Sequence, residues 1–299
     1  MELRHIHYFL TLAEEKSFTK AAEKLLIAQP PLSRQIKDLE EELGAELFTR
    51  TKRGVVLTES GEKFRQYALQ IDHLANQSKE MIRELNTGLQ GTLYIASIEG
   101  QAPRFIAEWI AGFHKLYPHV EFNVWNGNSD NVQYRLQNGL CDLGMMMSPI
   151  DEEHLDGLFV FEEPWVAMIP ATHPLAENHS SEISLEELAP YELMIPSRQS
   201  RLQEITGWFA ENSVKPKVCC RIAHVLNAIE LTEQNVGIAI YPAAASLYAD
   251  PAKVVIKKLI NPNVTASYYF TKSKAKELSH VALEFWNYVE SLLTYSKID

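Results

Sequence analysis

Residues 17–53 constrain the fold most, because their pattern fits two short helices joined by a tight turn, followed by a hairpin-like segment. In the second helix, apolar residues recur at helical spacing and predict an inward face: Leu32, Ile36, Leu39 and Leu43. The polar residues Ser33, Arg34 and Lys37 lie on the other side. Such a two-faced helix is typical of DNA recognition in the major groove. On spacing alone, an ordinary surface helix pair with solvated charges remains the alternative.

The residues that flank the second helix fit the same interpretation. Pro30 and Pro31 are tolerated in a first helical turn, where the missing amide would have no intrahelical partner. Arg34 can reach guanine edges or phosphates, and Gln29 can bond bases or phosphates. Three cations lie close to Gly54, namely Arg50, Lys52 and Arg53. They suit the tip of a wing beside the DNA backbone or minor groove.

Residues 1–61 also hold many residue types at fixed spacings. These are Ser17-Phe18-Thr19, Ala21-Ala22, Gln29-Pro30, Leu32-Ser33, Ile36, Leu39-Glu40, Leu43-Gly44, Leu47-Phe48, Arg50 and Leu57-Thr58-Glu59-Ser60-Gly61. In this pattern the chain resembles LysR-type transcriptional regulators. Its N-terminal sequence is most similar to that of regulators of aromatic-acid and catechol catabolism. The resemblance implies an all-α winged helix-turn-helix domain over residues 1–58. The predicted DNA-binding residues are Ser17, Thr19, Gln29, Pro30, Pro31, Ser33, Arg34, Lys37, Arg50 and Arg53.

The net charge of −11 is unevenly placed along the 299 residues. Residues 1–90 carry 13 Lys and Arg against 14 Asp and Glu, whereas residues 91–299 carry 15 against 25. A neutral module can still present a basic face, while the acidic remainder would repel DNA and help to orient the molecule. This distribution argues against non-specific coating of nucleic acid by the larger part of the chain.

Composition also limits where and how the chain works. The 46% of apolar residues can fill real cores, and no run of eighteen apolar residues exists to span a membrane. The first helix lacks an apolar signal core, and three cysteines are too few for a disulfide framework. We therefore expect a cytoplasmic protein. No nucleophile elbow, phosphate loop or paired-carboxylate motif is visible, so neither an enzyme nor a bound cofactor or metal is expected.

A long helix is predicted over residues 59–90, with Thr58 as its N-cap. Its apolar residues alternate at three- and four-residue spacing through three heptads and give the predicted dimerisation residues: Phe64, Tyr67, Ile71, Leu74, Met81 and Leu85. A helix packed on its own domain would show the same pattern. The resemblance implies that this linker helix pairs two chains, and that the family commonly assembles as a homotetramer.

From Gly91 onward, apolar strands alternate with helices, which predicts an α/β domain with a largely parallel sheet over residues 91–299. The resemblance implies two lobes, as in periplasmic binding proteins. We place lobe I at residues 91–161 and 267–299, and lobe II at residues 162–266.

Four polar loops are candidates for a small-molecule site. In open parallel sheets, ligands bind beyond the carboxyl ends of strands. The loops match the inter-lobe effector cleft that the resemblance implies, and their predicted effector-binding residues are Glu99, Gly100, Gln101, Asn128, Ser129, Ser197, Arg198 and Asn235. An organic acid is the first expectation. An amine-bearing metabolite facing Glu99, or a redox signal through Cys141 or Cys219, are the alternatives.

Cys219 and Cys220 are adjacent on a predicted strand, and regular alternation would point them to opposite faces. The predicted partners are double-stranded DNA with an interrupted palindrome, a small-molecule effector and further copies of the chain, with RNA polymerase as an additional candidate. A small-molecule receptor that does not bind DNA is the rival interpretation.

Overall fold

The computed structural model describes residues 1–51, 54–87, 89–261 and 263–295, with the backbone alone for residues 77, 80–87 and 295. The N-terminal module consists of α1 (Leu3–Glu15), α2 (Phe18–Lys24), α3 (Gln29–Leu43), β1 (Phe48–Thr51) and β2 (Gly54–Leu57). The two strands form an antiparallel wing in which Phe48 pairs with Leu57. Arg53, a predicted DNA contact, lies outside the described residues.

Local capping explains where these elements begin and end. The Ser17 side chain accepts a hydrogen bond from the Lys20 amide at the start of α2. Gly44 ends α3 in the left-handed conformation with a φ of 66°. The Glu40 carboxylate then accepts the backbone amides of Leu47, at 2.7 Å, and Phe48, at 3.1 Å. These bonds fix the wing to the third helix.

The core of the module explains why α3 presents a fixed outer face. It is formed by Ile6, Phe9, Leu12, Ala21, Ala22, Leu32, Ile36, Leu39, Leu47 and Ala68. Leu43 was predicted to face inward, but it is 40% exposed because α3 ends there beyond the core. The inward face therefore ends at Leu39.

The long helix α4 (Glu59–Thr87) follows the wing directly. Part of its predicted dimer seam is used within the chain. Phe64 lies edge-on to Phe9, with ring centroids 4.8 Å apart, and Ile71 packs against the same core. Tyr67 and Leu74 are each 64% exposed. The backbone of residues 81 and 85 is helical, but their side chains lie outside the described ones, so Met81 and Leu85 stay predictions.

The second domain begins at β3 and alternates strands with helices. Its elements are β3 (Gly91–Ile98), α5 (Ala102–Leu116), β4 (Val120–Gly127), α6 (Ser129–Gln137), β5 (Leu143–Met147), β6 (Leu155–Pro170), α7 (Pro174–Glu177), β7 (Glu182–Ser184), α8 (Leu185–Leu188), β8 (Glu192–Pro196), α9 (Gln199–Glu211), β9 (Lys217–Ile222), α10 (Val225–Glu233), β10 (Ile238–Pro242), the 3₁₀ helix η1 (Ala243–Tyr248), β11 (Val254–Asn261), β12 (Thr265–Ser273) and α11 (His280–Tyr295).

The strands form two lobes joined by the long strand β6. In the first lobe the order is β4-β3-β5-β12-β6, and in the second it is β6-β10-β8-β9, with β11 also on β6. Along β6, residues up to Pro164 pair with β12, and residues from Trp165 pair with β10. The prediction of a largely parallel sheet needs correction, because β12 and β6 run antiparallel to their neighbours and make the sheet mixed.

Two cores lie in the second domain. The larger core surrounds Phe113, Trp165, Phe209 and Phe285. The smaller core lies on the α10 side of the second lobe and surrounds Met168, Met194, Ile222 and Ile229. Among the described residues, no helix has both the length and the apolar character that a membrane crossing requires.

The linker helix also contacts the first lobe. His73 is buried beside Asp142, with 3.6 Å between Nε2 and Oδ1, and its ring lies edge-on to Tyr94. Gln70 donates to the Asn138 side chain at 3.2 Å. The amino end of β5, which directly follows Asp142, is therefore held against α4.

Candidate functional site

The outer face of α3 presents polar side chains to solvent. Gln29, Pro30, Pro31, Arg34 and Lys37 are exposed, Ser33 is half-buried, and Thr19 of α2 is exposed beside them. Ser17 is half-buried, since it serves as the N-cap of α2. Most of the predicted residues on α2 and α3 are therefore accessible to solvent.

The cations of this face differ in their partners. Among the described residues, Arg34 makes no ion pair, whereas Lys37 contacts Glu41 with 3.1 Å between Nζ and Oε1. The Arg50 guanidinium in the wing lies 5.2 Å from the centre of the Phe18 ring, which ties the wing to α2. Arg34 is therefore the cation most free to meet an incoming polyanion.

A cavity of about 280 Å³ lies between the two lobes. Six strands end at its wall, through their last residues: Ile98, Gly127, Met147, Pro196, Ile222 and Pro242. Because the carboxyl ends of these strands converge, the loops and helix starts that follow them supply its polar groups. This arrangement is the usual position of a ligand site in an α/β sheet.

The structure brings most of the predicted effector residues to this cavity. The lining includes Glu99, Gly100, Asn128, Ser129, Ser197 and Arg198. Gln101 is absent from the lining and precedes α5 as its N-cap residue. Ser129 is buried and donates to the Met147 carbonyl at 3.4 Å, so it is partly committed to holding α6 against β5.

Asn235 lies elsewhere, which corrects its predicted place. Its loop precedes β10, so it meets the amino end of that strand and not the carboxyl end at the cleft. There Asn235 has a φ of 61° and accepts a hydrogen bond from the Thr172 hydroxyl at 2.5 Å. It lines a separate cavity of about 350 Å³ with His173 and Tyr191.

Two arginines of the second lobe contribute positively charged groups to the wall of the inter-lobe cavity. The Arg198 side chain is 11% exposed and lies 2.5 Å from Asp130 of the first lobe. The Arg201 side chain is 4% exposed, pairs with Glu204 and donates to the Ser148 carbonyl. Within the described part of the chain, the buried Nε of each arginine has no hydrogen-bond partner. Burial lowers the pKa of Arg201, yet a guanidinium stays protonated.

Glu99 is paired across the cleft. Its carboxylate lies 3.1 Å from Nδ1 of His224 and accepts the Val225 amide at 3.4 Å, at the start of α10. The partner of Glu99 in the second lobe is therefore a histidine, His224. The pair joins lobe I to lobe II at the mouth of the cavity.

A buried carboxyl group lies behind the cavity wall. Glu163 accepts the Ala244 amide at 2.6 Å and a hydrogen bond from the Tyr268 hydroxyl, and both of these neighbours line the cavity. Burial raises the pKa of Glu163, and burial beside Glu163 raises that of Tyr268. This cluster fixes Tyr268 as a rigid part of the wall.

Several lining residues escaped the sequence analysis, notably Asp130, Trp165, Arg201, His224, Tyr241 and Tyr268. Arg201 lies in the first turn of α9. Trp165 and Tyr268 lie in strands that read as ordinary core. Only the start of α9, directly after a strand-end loop, could have pointed to Arg201.

The cysteines do not have the character of peroxide-reactive thiols. Cys141 is buried, and burial raises its pKa to about 12. Cys219 is exposed, but partial burial and the neighbouring Cys220 raise its pKa too. Because the thiolate is the reactive form, these directions argue against redox sensing at either position.

Comparisons with known proteins follow the same division of the chain. The model of the bacterial regulatory helix-turn-helix protein, lysR family, matches residues 3–62. The model of the LysR substrate binding domain matches residues 86–294.

Individual relatives agree with these matches. The transcriptional regulator YnfL of Escherichia coli K12 is 33% identical over 249 residues, covering 82% of this chain and 83% of YnfL. HcaR, the Hca operon transcriptional activator of the same strain, is 31% identical and covers 81% and 82% of the two chains. The structure of full-length CbnR complexed with its target DNA has a TM-score of 0.74 at 22% identity, covering 97% and 99%.

Proposed function

Since this chain belongs to the LysR family of DNA-binding transcriptional regulators, we propose that it controls transcription in response to a small organic acid bound between its two lobes. We further propose that it binds an interrupted palindrome as a dimer or tetramer, with α3 of each chain in a major groove. This choice of an acid rests on two nearly buried arginines of the cavity, Arg198 and Arg201.

The charge of the cavity supports an anionic effector. Two nearly buried guanidinium groups keep an Nε donor without a partner among the described residues. A buried donor without a partner costs free energy, and a carboxylate can accept from both nitrogens of a guanidinium fork. Glu99, a second acidic residue of the first lobe in the cavity wall, is held by His224 and by the Val225 amide at the start of α10. An acid therefore meets positive charge at Arg198 without facing a free carboxylate at Glu99.

The ion pair between Arg198 and Asp130 gives a way for the acid to change the protein. Asp130 is 57% exposed, so it can return to water at low cost when a ligand carboxylate replaces it at Arg198. That exchange removes a contact between the lobes and changes their closure.

A connected route leads from the cavity to the linker helix. Strand β5 ends at Met147 in the cavity wall. At its other end, Asp142 directly precedes the strand and contacts His73 of α4. A shift of the first lobe therefore reaches the helix that joins the DNA-binding module.

The DNA-binding part of the proposal is tested on the recognition helix. Selection from a random duplex library with the wild-type chain is expected to enrich an interrupted palindrome. For that site, Arg34→Ala should lower affinity by about 1–3 kcal/mol, because the bidentate contact with a base is lost. Arg104→Ala, which removes an exposed arginine from the second domain, is the matched control. An unchanged isotherm for Arg34→Ala at fixed salt would refute the role of Arg34.

The effector part is tested by calorimetry on the full chain. The panel contains benzoate, 2-hydroxybenzoate and succinate as acids, and phenethylamine and putrescine as amines. At least one acid should bind to wild type and to Arg104→Ala, and binding should be lost in Arg198→Ala. Binding of the amines, with none from the acids, would replace the organic acid by the amine alternative.

A further inference from the structure

Strand β9 carries two adjacent cysteines at the edge of the second lobe. It pairs with β8 alone, and the pairing shifts in the middle of the strand. Leu193 pairs with Val218, but Met194 pairs with Cys220, so Cys219 is an extra residue opposite β8. A bulge of this kind interrupts the alternation of side chains and turns two neighbours to the same face.

Packing on the two sides of the sheet agrees with this reading. Val218 packs against the larger core, whereas Cys220, two residues later, packs against the smaller core. In a regular strand these two residues would share a face, so the reversal lies at Cys219. The sequence prediction that the two cysteines point to opposite faces is therefore wrong, because a bulge was not foreseen.

The bulge places the two thiols on the side of the sheet that carries the smaller core. Cys219 is exposed and Cys220 is half-buried. The Cys219 thiol also donates to the Leu193 carbonyl at 3.4 Å, and a Cβ at Gly237 would lie 3.2 Å from its Sγ. The absence of a side chain at Gly237 leaves room for the sulfur.

The surroundings select the class of ligand. Zinc requires three or four protein ligands, and the described residues contain no group of three His, Cys, Asp or Glu that could hold a metal ion. Peroxide requires a thiolate, and the pKa of Cys219 is raised. A soft centre that needs only two sulfur ligands and brings its own third substituent fits both observations.

We propose that Cys219 and Cys220 form a two-sulfur binding site for trivalent organic arsenicals, such as phenylarsine oxide. In the reaction, two As–S bonds form and the As=O bond breaks. The oxide oxygen leaves as water with the two thiol protons. Arsenic stays trivalent, so no oxidant or reductant takes part.

This site is separate from the proposed effector site. Neither cysteine lines the inter-lobe cavity, although β9 ends there at Ile222. Loss of arsenical binding would leave the effector proposal intact, and the reverse also holds.

The test is intact-protein mass spectrometry of the reduced full chain after incubation with phenylarsine oxide. We expect one adduct per chain, with the mass of the reagent minus water. It should survive excess glutathione, because a single thiol cannot replace a chelate, and it should be removed by 2,3-dimercaptopropanol. Trypsin cuts after Lys217 and Arg221, so the adduct should map to the four-residue peptide 218–221 that holds both cysteines.

Variants separate the pair from single thiols. Cys219→Ser and Cys220→Ser should each abolish the glutathione-resistant adduct, while Cys141→Ser, which removes the remaining cysteine, should keep it. Mapping on the wild-type peptide does not depend on the folding of any variant. A resistant adduct that persists in either single variant, or the lack of any resistant adduct in wild type, would overturn the proposal.

Discussion

The recognition face, formed by the exposed polar side chains of α2, α3 and the wing, and the inter-lobe cavity both depend on arginines, but they hold them in opposite ways. Arg34 is exposed on α3, whereas Arg201 is only 3% exposed. On the recognition face the charge stays hydrated until DNA arrives, so binding depends strongly on salt. In the cavity the fold has already removed water from the guanidinium groups and fixed them with protein acceptors. A small ligand can therefore be held there by few contacts, whereas DNA needs many.

The two regions also differ in how the chain assembles them. The recognition face comes from one stretch of the chain, in which α2, α3 and the wing follow one another. The cavity is built from six strand ends between Ile98 and Pro242. Replacements of exposed side chains in the first region should therefore change DNA binding with little effect on stability, and replacements in the second should change stability first.

The largest expected effect belongs to Arg201→Ala. It removes a buried charge that bonds Glu204 and the Ser148 carbonyl and lies 5.6 Å from the centre of the Trp165 ring. We expect the second domain to lose about 3 kcal/mol of unfolding free energy, since a buried ion pair is broken. Urea unfolding followed by tryptophan fluorescence reports on this domain, because all five tryptophans lie in residues 91–299. The exposed control Arg104→Ala should change the unfolding free energy by less than about 0.5 kcal/mol. Equal losses in both variants would contradict the prediction that the buried arginine matters more.

A glycine replacement tests whether the wing is as rigidly fixed as the cavity. Gly54 has a φ of 131°, and an added Cβ would lie 2.5 Å from the Lys16 carbonyl oxygen. Gly54→Ala should therefore destabilise the N-terminal module by about 2 kcal/mol. Amide hydrogen exchange of residues 1–61, measured by mass spectrometry, would detect this. In α9 an added Cβ at Gly207 meets nothing within 4 Å, so Gly207→Ala should stabilise the second domain by about 1 kcal/mol.

Lys37→Ala addresses the electrostatic part of the recognition face. Its ammonium group is exposed and paired only weakly with Glu41, so protein stability should hardly change. If Lys37 contacts a phosphate, the slope of log K against log salt should fall by about 1. Lys253→Ala, which removes an exposed lysine paired with Glu233 in the second domain, is the control. Identical salt slopes for the wild type and Lys37→Ala would exclude the contact.

The smallest effect concerns pH. The raised pKa of Glu163 means that the folded protein holds this proton more tightly than the unfolded chain does. Its contribution to stability is therefore complete at pH values below the ordinary glutamate pKa near 4.5 and is lost as the pH rises through the folded pKa. Glu163→Gln has no carboxyl group to titrate at this position. The unfolding free energy of the wild type should therefore fall relative to that of the variant as the pH rises. Urea titrations at several pH values from acid to neutral measure both unfolding free energies. A difference between the two proteins that stays constant with pH would contradict the raised pKa of Glu163.

The sequence by itself determined the recognition helix and the positions of most strand-end loops. Leu32, Ile36 and Leu39 are buried as their spacing predicts, because helical periodicity is a local property. Gly100, Asn128 and Ser197 line the cavity because each follows the carboxyl end of a strand. Local patterns are thus enough to predict a residue's position when its neighbours are close in sequence, or when the direction of its strand is known.

Only the tertiary structure decided the remaining features. The heptad pattern of α4 could not say whether Phe64 faces a second chain or Phe9 of its own module, since both partners are apolar. The bulge opposite β8 turns Cys219 to the face of Cys220. The buried charge of Arg201 depends on Glu204 of the same helix, on Ser148 in the loop after β5 and on Trp165 of β6. Such placements depend on long-range packing and register, which no local pattern in a sequence records.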